Sequence, residues 1–487
     1  MTSSPKRHLR ARLGALALSC SLVVFAGTVL TPAPAVAWDP STTHQGLLEA
    51  ALTRSALHLR WMDASDLQRG LFTDLRIDPA LLSVEERRMI ELALRQSHAD
   101  LGAQPLGGPG SCPRADAPPQ TQLFCVDRDL WQQPALGWLR LGMIAEVSPP
   151  ARHVHHFLDR HDAEAMVWED RELSPALLRI RQARSNGEPA AGVATGTDFS
   201  GKAPSALAWL EDPEDLLAPA QTYAHLEQAS LAPTQTLRDH HLGLEMPDDG
   251  ALLHVVQDLS VPAHARGDAT AFFSPLSAVS GDRGLPLQEF VRLAYNRSDL
   301  PGLSRLPTTP PTGEPLAQTL REHLLGRETT EDQPGLEGLA MLAARRFFSE
   351  SSLPEAAFID DTLSPAEAAA ALLGKSEDNG LWPVESEGAV LSPWPAQRGY
   401  LLSPAGRALA AFDVDREGRI RPYLDETCYR DQAATLLPAA VDTSRSLLDL
   451  LWPAWPASSQ SGDELTIEVP AWTSATLLWF VEDATGN

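Results

Sequence analysis

Basic residues are scarce in this chain. Its 487 residues hold 39 Lys and Arg against 64 Asp and Glu, a formal net charge of −25. A surface this acidic argues against stable duplex nucleic-acid binding by charge alone and against simple docking onto anionic lipid. Cysteine is scarce too: Cys20, Cys112, Cys125 and Cys428 are the four. None forms a CxxC pair, which excludes a zinc ribbon. After the first 30 residues no stretch is apolar enough to span a membrane. Internal repeats, a Gly-rich phosphate loop and a Gly-x-Ser-x-Gly elbow are all missing, so the corresponding nucleotide and serine-hydrolase chemistries lose their sequence support.

What is present reads as globular: 43% hydrophobic and 21% charged residues rule out a disordered chain. The length allows a large core or two to three modules. Residues 1–37 read as a secretory signal, with Lys6, Arg7, Arg10 and Arg12 ahead of an apolar run and Ala35-Val36-Ala37 as a small-x-small cleavage site. An uncleaved anchor helix is the other reading of that segment. Export would expose Cys112 and Cys125, which flank a Gly/Pro-rich loop, to oxidising conditions where they could pair; Cys428 is then left as a buried free thiol. Helical periodicity runs over 44–57, 84–99 with Ser83 as N-cap, 213–231, 234–259, 316–350, 402–413 and 427–452. Alternation over 464–482 predicts a small terminal β element.

The chemistry concentrates in Gly250-Ala-Leu-Leu-His254-Val-Val-Gln-Asp258-Leu-Ser-Val-Pro262-Ala-His264. On a helix His254 and Asp258 stack one turn apart. Leu252, Leu253, Val255, Val256 and Leu259 cover the other faces, which predicts a helix buried nearly all round. A carboxylate there is costly unless a cation compensates it. Taken alone, the pair also fits a core histidine hydrogen-bonded to an aspartate. Pro262 ends or bends the helix, and His264 follows where the chain can return to the same cavity.

The full spacing His-x3-Asp-x3-Pro-x-His resembles the metal-binding helix of the secreted zinc-dependent phospholipase C and zinc nuclease superfamily. Trp38-Asp-Pro-Ser-Thr-Thr-His44 is similar to that superfamily's mature N-terminus, whose free amine and carbonyl bind zinc with a nearby histidine. The resemblance therefore implies Trp38 and His44 as ligands, and an α-amine with a pKa of about 8 deprotonates readily on a dication. His155-His156-Phe157-Leu158-Asp159 resembles a further segment, in which the metal-binding histidine maps onto His156. The superfamily's aspartate falls on Val147, with Glu146 beside it as the substitute ligand, although one residue along a helix is about 100° of rotation. Beyond the central stretch, Pro286-Leu-Gln288-Glu289-Phe290 matches the segment that carries a third-site glutamate. Glu289 stands in for it, with Gln288 the position by strict alignment, and no histidine lies upstream.

The resemblance implies a mainly α, multi-helix bundle of the phospholipase C/nuclease type with a small C-terminal β element. Its organisation would be a signal peptide (1–37), a metal-binding helical hydrolase domain (38–300), a helical extension packed on it (301–455) and a β segment (456–487). The implied ligands are Trp38, His44, Glu146, His156, His254 and Asp258 for two zinc ions, with His264 and Glu289 for a third. Asp258 would bridge two ions, and Glu146, if not a ligand, would be a general base. Two ions about 3.5–4 Å apart lower the pKa of a shared water and clamp a phosphoryl group for in-line attack. The expected activity is secreted or periplasmic phosphodiester hydrolysis, with phospholipid ahead of nucleic acid as substrate and transient contact with a membrane surface. A zinc nuclease for single-stranded nucleic acid, which would want aromatic platforms and a basic groove, and a degenerate non-catalytic metal-binding protein are the alternatives.

Overall fold

The computed structural model describes residues 43–63, 67–100, 131–147, 152, 155–158, 205–268, 286–296, 316–329, 335–350, 352–374, 384–452, 457–461 and 464–468. The expected signal segment, Trp38 and the Cys112–Cys125 pairing lie outside them. Cys428 is buried and unpaired. No helix among the described residues is long and apolar enough to cross a membrane.

The chain is mainly helical. In order it forms α1 (Thr43–Leu52), α2 (Leu57–Asp63), β1 (Asp74–Arg76), α3 (Val84–Asp100), β2 (Gln132–Pro134), α4 (Ala135–Ala145), α5 (Ala206–Leu210), α6 (Pro219–Leu231), α7 (Gln235–Asp258) and α8 (Pro262–Ala265). There follow α9 (Pro286–Asn296), α10 (Leu316–Leu325), α11 (Leu339–Arg346), α12 (Pro365–Leu373), β3 (Val390–Ser392), β4 (Arg398–Leu402), β5 (Ala408–Val414), β6 (Ile420–Tyr423), α13 (Glu426–Leu451), β7 (Ala457–Ser461) and β8 (Glu464–Glu468).

Helix α7 is the axis. Thr234 caps its N-terminus by accepting from the Leu237 N–H at 3.3 Å. At its other end Pro262 opens α8, where a missing N–H costs nothing. Every residue from Leu242 to Asp258 is buried, so the expected all-round burial holds. Helices α4 and α6 cover it on two sides and α13 on another. The α4–α7 crossing is made by glycines. A Cβ on Gly142 would stand 2.0 Å from the Pro247 carbonyl oxygen, and one on Gly250 would stand 2.1 Å from that of Leu139. Backbone therefore lies on backbone. Gly250→Ala is expected to cost about 2 kcal/mol of stability by forcing the helices apart, read as a lower urea midpoint at unchanged m-value.

Ser83 caps α3 as expected, its hydroxyl accepting from the Glu86 N–H while Glu86 accepts from the Ser83 N–H. The pattern over 316–350 splits into α10 and α11 at Gly326, whose φ of +88° suits glycine. The helix expected at 402–413 is instead strand. β3, β4, β5 and β6 form an antiparallel four-stranded sheet in that order. The reason is burial on both faces. Ala408 and Ala411 meet Cys428 of α13 on one side, while Ala410 and Phe412 join Phe348, Ala368 and Leu372 on the other. A strand covered on both faces loses alternation and reads like a buried helix. The segment 301–455 thus carries a sheet as well as helices, and its long helix α13 packs on α1 and α7. β7 and β8 form a hairpin over 457–468, and the rest of the expected 464–482 element lies outside the described residues.

Candidate metal centre

Five elements bring side chains to one interior point. His44 comes from α1, Glu146 from the end of α4, His155 and His156 from the turn 155–158, His254 and Asp258 from α7, and His264 from α8. All have no solvent exposure except His155, at 6%. His156 Nδ1 lies 2.6 Å from one Asp258 oxygen, with His254 Nε2 3.4 Å from the same atom. His44 Nε2 lies 3.2 Å from the other. The His44 and His254 rings stack with centroids 3.7 Å apart.

The tautomer of His44 follows from its other nitrogen. Nδ1 sits 2.7 Å from the Gln257 amide oxygen, and the Gln257 amide N–H donates to Ser444 of α13 at 3.2 Å. Nδ1 therefore carries a proton, and in the neutral ring, the form that binds a metal, Nε2 keeps the lone pair. That lone pair faces a carboxylate, and His44 Nε2 and both ring nitrogens of His254 are buried without a hydrogen-bond partner. Lone pairs aimed at a buried carboxylate are repulsive unless a cation lies between them. Two groups have the spacing for one: His44, His254 and Asp258, and Glu146, His155 and His156, each with its ligand atoms all within 4.8 Å of one another. Nitrogen and oxygen donors of this kind suit zinc. Gln257→Leu is expected to weaken metal binding by this group about 10- to 100-fold by freeing the His44 tautomer, while Gln257→Glu keeps the acceptor and the affinity; chelator-competition titration with zinc as the probe measures both.

Glu146, and not Val147, turns into the centre. Helix α4 ends at Ala145, and Val147, though buried, brings no ligand atom. The Glu146 carboxylate accepts from Arg152 Nε at 3.2 Å and from an Arg152 terminal nitrogen at 2.8 Å. It also meets His155 Nε2, and His156 Nε2 at 3.3 Å. Burial would raise its pKa, but the Arg152 and His155 charges and the imidazole hydrogen bonds hold it well below the usual carboxylate range. Asp258 is likewise lowered against burial, by the fields of His264, His254 and His44 and the hydrogen bond to His156. Burial pushes His254 down to about 3 and His264 to about 4, leaving their imidazoles neutral as a metal requires.

The third position is not assembled as expected. His264 Nδ1 donates to the His156 carbonyl at 3.1 Å, and its ring stacks on Phe157. Its Nε2 faces the Gln288 amide nitrogen at 3.4 Å. Glu289, one residue on, turns away and pairs with Arg292 at 2.7 Å through both oxygens. Gln288 is therefore the position facing the centre, because a step of one residue on α9 changes the face. Sequence reasoning did not single out His155, Gln257, Arg152, Asp215 or Ser444, although His155 stands beside His156 and Gln257 beside Asp258 in segments that carry the signal. His240 is buried and accepts from the Asp78 N–H at 3.0 Å.

A second polar group lies further up α7. Glu245, Asp248 and Asp249 are buried, with Asp249 accepting from Trp452 Nε1 at 2.7 Å. Burial raises all three pKa values, that of Asp249 to about 6.

No family model, no curated protein and no solved structure matches this chain.

Proposed function

We propose that the chain is an exported, zinc-dependent phosphodiester hydrolase of the phospholipase C type. The observation that carries this reading is the His44 Nε2 lone pair set against Asp258 at 3.2 Å, with His254 unpartnered beside it. His44, His254 and Asp258 would hold one ion, and Glu146, His155 and His156 a second. A dication bound there supplies Lewis-acid polarisation of a phosphoryl oxygen and lowers the pKa of a nearby water. Gln257 fixes the His44 tautomer and Asp258 supplies charge on two oxygens. The depressed pKa of Glu146 makes it a weak base, so its role is that of a ligand. The resemblance of the central stretch to the superfamily supports phosphodiesters as substrates, and the acidic surface favours a lipid over a nucleic acid.

The test is zinc analysis of processed protein, followed by turnover of a phosphatidylcholine analogue and of single-stranded DNA with and without chelator. Chelator-sensitive release from the lipid supports the reading. Turnover of DNA alone replaces the lipase with a nuclease. One tight ion without any turnover leaves a metal-binding protein, an outcome that the Gln288–His264 contact at the third position would favour.

A further inference from the structure

Arg152 is 1% exposed and lies between two carboxylates in the wall of the centre. Toward Glu146 it donates from Nε at 3.2 Å and from a terminal nitrogen at 2.8 Å. Toward Asp215 it donates from both terminal nitrogens, at 3.1 and 2.9 Å. Asp215 is itself fixed, since its carboxylate accepts from the Leu217 N–H at 2.9 Å in the turn that leads into α6.

We propose that Arg152 and Asp215 are positioning residues, which hold Glu146 in the orientation from which it joins His155 and His156 around a metal ion. The proposal rests on the metal reading above. Glu146 follows the last residue of α4, so its side chain has no helical neighbour ahead of it to fix its rotamer. A guanidinium fork fixes both carboxylate oxygens at once, which an ammonium cannot do. Charge gives Asp215 its part. A lone Arg152 would place a cation in the wall and repel a dication. Paired with Asp215 it is neutral overall, and the Glu146 charge stays available. The chain of contacts runs from the turn before α6, through Arg152, to the end of α4, and ties the centre to residues distant in sequence.

Two variants test this on the full processed chain, Asp215→Asn and Arg152→Lys. Zinc affinity is measured by chelator competition, and ligand geometry by the visible spectrum of the cobalt(II)-loaded protein. Both variants are expected to bind zinc about 10- to 100-fold more weakly, the usual effect of losing a partner behind a ligand, and to show an altered cobalt band. Melting of the metal-free protein separates this from general loosening, because a merely structural ion pair would lower the melting temperature and leave the cobalt spectrum alone. Should either single variant fail to fold, the double variant Arg152→Gln/Asp215→Asn keeps the shape without the charges. A folded variant, single or double, with wild-type zinc affinity and cobalt spectrum overturns the proposal. A wild-type chain that takes up neither zinc nor cobalt removes the metal reading itself, before any variant is made.

Discussion

On the zinc reading proposed above, Asp258→Asn is expected to release the ion held with His44 and His254 and to lower turnover by at least about 100-fold, beyond the range for loss of an outer partner. The substitution keeps the size and one acceptor oxygen, so packing around α7 is undisturbed. What goes is the negative charge that faces His44 at 3.2 Å, His156 at 2.6 Å and His254 at 3.4 Å. Without zinc, the variant should melt lower than wild type near neutral pH, because the fold holds Asp258 ionised against its imidazole neighbours and that contribution goes with the charge. With zinc the gap should widen. A ligand at 1,000 times its Kd stabilises the folded state by about 4 kcal/mol, and the variant should gain almost none of this. Calorimetry with and without zinc gives the comparison. An Asn variant with normal zinc content would show that Asp258 is not a ligand.

Asp249→Asn is expected to stabilise the protein, and increasingly so as pH rises. Burial lifts the folded-state pKa of Asp249 to about 6, against about 3.9 for an unfolded chain. Below about pH 4 the carboxyl is protonated in both states and contributes no penalty. As pH rises from there, the unfolded chain ionises first, and stability falls until the folded pKa is passed. The full loss above that point is about 3 kcal/mol. An asparagine keeps an acceptor oxygen for Trp452 Nε1 and turns its amide N–H to the Thr222 hydroxyl oxygen, with nothing to ionise. Urea unfolding at pH 4 and pH 8 should show a variant-minus-wild-type difference that is small at the lower pH and about 3 kcal/mol larger at the higher. A difference independent of pH would show that Asp249 is not the group responsible. Glu245 and Asp248 are raised in the same sense, and the three titrate as a coupled set. Glu146 and Asp258 act in the opposite sense: their lowered pKa values contribute stability above the ordinary carboxylate range that is lost as pH falls. Helix α7 thus carries carboxylates with opposed responses to acid, Asp258 against Glu245, Asp248 and Asp249.

The parts of this architecture legible in the sequence are those set by local rules. The cap at Ser83, the all-round burial of α7 and the one-turn spacing of His254 and Asp258 need only helix geometry and apolar content. The parts that were not legible depend on distant contacts. Whether Glu146 or Val147 faces inward is decided by where α4 stops and by Arg152. Whether Gln288 or Glu289 meets His264 is decided by the roll of α9, and Arg292 offers Glu289 a partner elsewhere. Strand β5 was unreadable because α13 and α12 enclose both its faces and erase the alternation. Gln257 sits in plain view beside Asp258, yet its task is set by Ser444, nearly two hundred positions away, so the central stretch could not announce it.

The glycine crossing of α4 and α7 has a consequence for how this chain can vary. Glu146 follows Gly142 by four residues, and His254 follows Gly250 by four. Where two main chains touch, their separation is set by atoms that every residue shares. Exchanges among leucines and valines elsewhere in the interior can then accumulate without altering the gauge between the two ligand sets. The tolerance ends at two positions: there, even one added methyl group would lever the ligand-bearing rods apart.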